Sequence, residues 1–398
     1  MLELNLKASE IMDNKYIETG NHEHRLARIP RTLRTMLNLQ LDNFVHLKSK
    51  NGNMVTLQVS EVYDKDDRDD QFCGYVTSNN YNRINITQHD ECHKSTKSAE
   101  LHRVEGITLG CDPEAFLVHK ESNNVMAAYR FFGKYGEVGH DGILIEFRPM
   151  HSCDAGVVTD NIHRLLLRAR TVLDGSVDGK DIKIVGASAL KGLTAGFHLH
   201  YGLPKDLLGQ NTGVKRAVAN IITKALDYYT GVPSIIPEGN DDVLRRTVPY
   251  VEYGKPGGYR LSFRTFEYRL PGGICMVHPI LTMGLLSLGA VVVEDLISRM
   301  KICTDNFTNF REITTESDLK ALYPSLPNIE TIYGLICCKR IEPARSHLNK
   351  IMNDVRQMIG YKHQNRSIAI ENFFNCIQSG RKFDNNIEQN WRFAYNEK

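Results

Sequence analysis

Four short segments between residues 107 and 273 alternate apolar residues with charged residues or histidines, and no other feature of the chain constrains its fold as tightly. In an extended strand, successive side chains point to opposite faces, so residues two apart share a face at roughly 6–7 Å. In Ile107–Val118 this puts Asp112 and Glu114 together. Pro113 between them cannot donate to a ladder, which predicts an edge or a strand start. In Gly139–Pro149 the rule puts Glu146 beside Arg148, with Ile143, Ile145 and Phe147 opposite. In Thr194–Gly202 it pairs His198 with His200 against Phe197, Leu199 and Tyr201. In Arg260–Gly273 it pairs Glu267 with Arg269 against Phe266, Tyr268 and Leu270, with Arg260 and Arg264 just upstream.

Each segment has a plain reading: a surface turn at Asp112-Pro113, ion pairs at Glu146/Arg148 and Glu267/Arg269, or a satisfied core histidine. Charges inside hydrophobic strands are costly to bury unless paired or bound to something. Together the four strands present carboxylates that suit hard divalent cations, imidazoles that suit metals or phosphate, and guanidinium forks that suit carboxylate or phosphate. The expectation is a sheet with one face on a core and the other lining a polar site.

The chain has 398 residues, enough for two domains. We expect residues 1–98 to form a β-rich domain that ends in a polar linker at 88–97, and residues 99–398 to form the larger domain, helical from about 276. Asn43–Ser49 and Met54–Tyr63 flank Asn51-Gly52, a hairpin signal, and 32–39 reads as a short helix. Met276–Arg299 has the length of a core helix, Ile341–Ile359 has helical spacing before Gly360, and Phe383–Lys398 is polar and expected to be loose. Leu281–Ile297 is interrupted by Glu294 and Asp295 and reads as too short to span a bilayer, and the N-terminus has no signal-peptide pattern. Nine scattered cysteines without a Cys-x-x-Cys pair fit reduced thiols in a cytoplasm. A net charge of +2 gives no general reason to expect nucleic acid.

The ordered motifs Asp112-Pro113-Glu114-x-Phe116, Asp141-Gly142-x-x-x-Glu146-x-Arg148, Gly196-x-His198-x-His200 and Phe266-Glu267-x-Arg269-x-Pro271 resemble the catalytic core of glutamine synthetase and the glutamate–cysteine ligases. Within that superfamily the chain is most similar to the phage phiEco32-like carboxylate–amine ligases, over about residues 105–275. The resemblance implies an α+β fold: a curved antiparallel sheet with packed helices, whose concave face takes ATP and two or three Mg²⁺ or Mn²⁺. It implies that a carboxylate, free or on a peptide, is joined to an amine through an acyl phosphate, in a cytoplasm (the host's, for a phage-encoded chain). Carried over by motif, Glu114 and Glu146 hold one metal, and Asp112, His198 and Glu267 hold the metal that bridges the ATP phosphates. His200, Arg260 and Arg264 contact the nucleotide. Arg264 and Arg269 stabilise the transferring phosphoryl group, and Asp141 completes the first metal site or orients the amine. Asp112 stands where these ligases usually carry Glu, and Pro237–Asp242 is the candidate amine-site loop.

The run Ile29-Pro30-Arg31 to Val45 resembles the swapped-hairpin domain of AbrB-type regulators, which implies dimerisation and DNA binding. Two other readings of the residues stay open: a DNA-binding regulator with a degenerate ligase domain, and a metal-dependent hydrolase, because His-x-His also occurs in amidohydrolase barrels. No membrane partner is expected, and a homo-oligomer is left open.

Overall fold

The computed structural model describes the backbone of six strands in residues 1–106 and, beyond them, residues 107–203, 212–248, 253–262, 265–303, 316–363 and 366–396. The chain divides into two compact units, Met1–Gly106 and Ile107–Lys398.

In the first unit the strands are β1 (Leu2–Ala8), β2 (Leu26–Pro30), β3 (Phe44–Ser49), β4 (Met54–Tyr63), β5 (Cys73–Val76) and β6 (Lys97–Arg103). They close a barrel in the order β1-β5-β2-β4-β3-β6, and closure removes the unpaired edges an open sheet exposes. β3 and β4 run antiparallel with Val45 opposite Leu57. β6 pairs with both β1 and β3, so these residues belong with the barrel. The expected turn at Asn51-Gly52, the helix at 32–39 and linker residues 88–96 lie outside the described residues.

The second unit mixes helices with an antiparallel sheet. Its spine is β7 (Thr108–His119). β14 (Phe197–Gly202) pairs with the first half of β7. β8 (Val125–Met126), β10 (Leu144–Phe147) and β11 (Ile182–Val185) pair with the second half, and β12 (Ala189–Leu190) pairs with β13 (Leu193–Thr194). The order is β15 (Tyr259–Leu261), β16 (Thr265–Tyr268), β14, β7, β10, β9 (Val138–Asp141). One face is apolar: Leu109, Cys111, Ala115 and Leu117 of β7 share a core with Ile145, Phe147, Phe197, Leu199, Tyr201, Phe266 and Tyr268. Helices α1 (Ala155–Asp174), α2 (Thr212–Leu226), α3 (Pro279–Cys303), α4 (Arg366–Gln378) and α5 (Ile387–Asn396) contribute to that same core. Each fully buried large apolar side chain contributes about 1.5–3 kcal/mol, which fixes the face of every strand and leaves the charged residues on the other.

Several expectations need correction. Gly139–Pro149 is a hairpin, not one strand: it reverses at Gly142, whose φ is +57, and Ile143 is exposed in the turn. Gly142 and Ile143 are the two turn residues, and glycine at the first of them meets the positive φ required there, a local signal that outweighs the apolar run after it. Arg260–Gly273 is likewise a hairpin of β15 and β16. Pro113 lies inside β7 rather than at an end. It falls where the β10 side of the strand is unpaired, between the bridge at Leu109 and the pairing that begins at Glu114, so its missing N–H costs nothing there. Ile341–Ile359 forms two short helices, Glu342–Ser346 and Leu348–Val355, and Ile359 is exposed. The tail beyond Phe383 is not loose: α5 buries Trp391, whose indole donates to Met276 O at 2.9 Å. By length and composition Pro279–Met300 is apolar enough to cross a membrane, but 83% of its most apolar window is buried within the protein.

The α3–α4 contact depends on a glycine. A Cβ added at Gly284 would collide with Cβ of Phe373. Glycine in a helix interior costs about 1 kcal/mol relative to alanine, and here it permits close approach of the two helices. We expect Gly284→Ala to destabilise the protein by about 1–3 kcal/mol through overpacking despite alanine's better helix propensity. A urea midpoint equal to or above that of the wild type would show that the helices separate at no cost.

Candidate active site

Strand register places the polar residues in rows across the face opposite the core. In one row Asp112 lies opposite His198, and Arg269 follows directly after β16. In the next, Gly110 lies opposite His200, His200 opposite Glu267, and Glu267 opposite Arg260. In a third, Glu114 lies opposite Glu146.

Asp112, His198 and Glu267 converge. One ligand atom from each lies within 4.8 Å of the others. His198 Nδ1 is 3.4 Å from Asp112 Oδ1 and 3.6 Å from Glu267 Oε1. His200 Nε2 is 3.0 Å from the same Asp112 oxygen. None of these approaches is aligned as a hydrogen bond: Asp112 Oδ1, Glu267 Oε1 and His200 Nε2 are all buried without a hydrogen-bond partner. Buried polar atoms are normally satisfied, so three orphans around one point mark a place shaped for something else. Burial works against ionisation of Asp112, but its contacts with His198 and His200 prevail and hold its carboxyl below the usual range. Burial likewise disfavours the His200 cation, yet the Asp112 carboxylate and the charge of Glu267 raise its pKa above the ordinary imidazole value.

The other expected residues fall around this triad. Glu267 is flanked by Arg260 Nε at 2.5 Å and Arg269 Nε at 3.1 Å. Glu114 and Glu146 face each other, and like charges directly opposite repel unless compensated. Glu146 contacts Arg148, and Glu114 accepts a hydrogen bond of 2.6 Å from the backbone N–H of Gly196. Burial pushes the Glu114 carboxyl up, against the charges of His198 and Arg245. Asp141 shares the site face but lies exposed at the β9–β10 turn, in the row of Leu144 and Phe116 beyond Glu146. None of the contacts among the described residues joins it to the triad. Arg264 lies outside the described residues.

Three site residues escaped the sequence reading. Arg245 is buried behind Glu114 and donates to the carbonyls of Leu270 at 2.5 Å and Arg269 at 3.0 Å. A Cβ at Gly196 would strike both the His198 ring and Arg245, so only glycine fits there. The Asp241-Asp242…Arg245-Arg246 run was the available signal, but it reads as a solvated charge cluster. Tyr253 carries the Arg269 guanidinium over its ring at 3.8 Å. His151 lies beside Gly110: a Cβ there would be 3.4 Å from Cβ of His151 and 3.5 Å from Cβ of His200. It arrives through an isolated bridge between Leu109 and Ser152, which no periodicity announces.

The loop bearing Tyr253 is pinned from behind the sheet. Asp227 accepts hydrogen bonds from Tyr268 Oη at 2.9 Å and from Gly257 N–H at 2.7 Å. Burial pushes its carboxyl up to about 7, more than those two hydrogen bonds pull it down. An unfolded Asp titrates near 4, so the folded value is the higher one. The contribution of Asp227 to stability is therefore complete below about pH 4 and is lost as pH rises through about 7. We expect wild-type stability to fall by a few kcal/mol between pH 5 and pH 8, and Asp227→Asn to flatten that decline. Parallel stability–pH curves for the two proteins would refute the assignment.

Solved structures match the chain with low likeness, as three of them illustrate. A bifunctional glutathione synthetase from Pasteurella multocida matches with 12% identity and TM-score 0.32 over 69% of this chain, and the chain spans only 56% of that protein's length. A glutamine synthase homologue matches with 13% identity and TM-score 0.32, over 68% of this chain and 70% of the other. Glutamine synthetase of Plasmodium falciparum matches with 10% identity and TM-score 0.38, over 98% of this chain and 97% of the other. No curated protein matches the chain. The family model of the phage phiEco32-like COOH·NH2 ligases of type 2 matches residues 109–331, more than half the chain and the whole span from β7 past the Arg269 row, so the chain belongs to that ligase family.

Proposed function

We propose that this chain uses ATP to join a carboxylate to an amine through an acyl phosphate, on the polar face of a sheet of the glutamine synthetase type. The observation that carries this reading is the Asp112/His198/Glu267 triad, with two buried carboxylate oxygens lacking hydrogen-bond partners. Two carboxylates and an imidazole converging on one point fit a divalent cation such as Mg²⁺ or Mn²⁺. When bound there, the cation would neutralise phosphate oxygens of ATP.

The remaining roles belong to the chain's own side chains. His200, whose Nε2 lies 3.0 Å from Asp112 on the same polar face, can donate a hydrogen bond to phosphate. Arg269 is fixed between Glu267 and the Tyr253 ring, which pre-orients its fork toward the charge that develops during phosphoryl transfer. Glu114 and Glu146 offer a second carboxylate pair, and Arg245 balances Glu114 from behind while it holds the backbone at Leu270.

The test is to supply the full chain with ATP, Mg²⁺ and a matrix of carboxylates and amines. ADP release and amide formation should both require a carboxylate. Hydroxylamine should trap the activated acyl group as a hydroxamate. Amide cleavage that proceeds without ATP would favour the hydrolase reading instead.

A further inference from the structure

A cavity of about 210 Å³ lies apart from the triad. One wall is the loop carrying Asn240 and Asp241, the other is the segment Arg381–Phe383, and Leu190 and Val277 form part of the apolar lining. The loop wall is built to stay in place. Asp242 accepts hydrogen bonds from the N–H groups of Ser188 at 2.5 Å and Ala189 at 3.0 Å through one oxygen, and from Gly239 at 2.8 Å through the other. The opposite wall is stiffened by a stack: Phe383 lies on His278 with ring centroids 4.4 Å apart, and Arg381 sits 5.0 Å over Phe383.

The walls carry opposite charge, and the charges do not meet. Among the described residues the side chains of Asp241, Arg381 and Lys382 have no ion-pair partner, although all three line the same cavity. All three are exposed, and the acidic and basic groups stand on separate segments of the chain on either side of the cavity. A ligand that satisfies both walls must carry an ammonium and a carboxylate on one short apolar body. The volume is below the usual 300–1,000 Å³ of drug-sized pockets and suits a ligand of the size of an amino acid.

We propose that this cavity binds a free amino acid or a very short peptide, with its ammonium at Asp241 and its carboxylate at Arg381 and Lys382. The ligase reading is not needed for this site. The loop that forms it continues directly into Arg245 behind Glu114, so an occupied cavity adjoins the polar face of the sheet.

The test is direct binding to the full chain without ATP or metal, so that failure of the ligase reading does not affect it. Titration calorimetry with the free L-amino acids and glycylglycine should reveal at least one saturable ligand. Asp241→Asn and Arg381→Gln are both exposed substitutions, and each should weaken that ligand at least about tenfold with the circular dichroism spectrum unchanged. N-acetylation or amidation of the ligand should do the same. Addition of ATP and Mg²⁺ then separates two sources: consumption of the bound compound identifies a substrate, its recovery unchanged identifies a non-reacting ligand, and both uphold the site. Absence of saturable binding to every probe at tens of millimolar overturns the proposal. So does equal binding by both variants, or by propionate or propylamine alone.

Discussion

Replacing Asp112 by Asn should lower ADP release by at least about 100-fold and abolish tight Mn²⁺ binding, with the fold retained. Asn has nearly the same shape as Asp and keeps a neutral carbonyl oxygen toward the two imidazoles. What it loses is the anionic oxygen that faces His198 Nδ1 at 3.4 Å and His200 Nε2 at 3.0 Å without an aligned hydrogen bond. If that oxygen is there to ligate a cation, the loss appears in metal affinity and turnover together. If it serves only to pair with the histidines, the variant should bind Mn²⁺ as before and show its defect as a lower melting temperature. Mn²⁺ titration, ADP release and thermal unfolding on one preparation separate the two cases.

Arg269→Lys should lower turnover by on the order of 10²–10⁵ while ATP binds with nearly unchanged affinity. Lysine keeps the charge but has no planar fork, so it cannot both hold Glu267 through one nitrogen and direct the others elsewhere. The structure sharpens the rival explanation, because Arg269 Nε sits 3.1 Å from Glu267 Oε1 and the guanidinium lies 3.8 Å over Tyr253. A group held on two sides could be a brace. A brace would show itself as a lower melting temperature with turnover per folded molecule nearly intact, and also as an equal stability loss in Tyr253→Leu. A catalytic Arg269 predicts that Tyr253→Leu costs less turnover than Arg269→Lys, because the fork remains and only its orientation loosens.

Strand periodicity was sufficient wherever the question was which neighbours in the chain share a face. Asp112 with Glu114, His198 with His200, and Glu267 with Arg269 each occupy the polar side of a strand whose other side is buried. Periodicity failed where a turn interrupts it. Ile143 alternates with Ile145 and Phe147 in the sequence, but Gly142 reverses the chain and leaves it exposed. It failed also where burial depends on a distant partner: Trp391 sits in a polar tail, yet the carbonyl of Met276 and the core beside β11 give it a buried place.

By itself, the sequence determined the chemistry of each strand face, because the alternation of side chains is a property of one extended segment. It also sufficed, through four ordered motifs, for a resemblance that the family model over residues 109–331 bears out. Only the tertiary structure decided which faces join. Register between strands set Glu267 opposite His200 and Glu146 opposite Glu114, brought His151 beside Gly110, and buried Arg245 behind Glu114. Register is a relation between segments scores of residues apart. It is fixed by how all their apolar faces pack into one core, and no single segment contains that information.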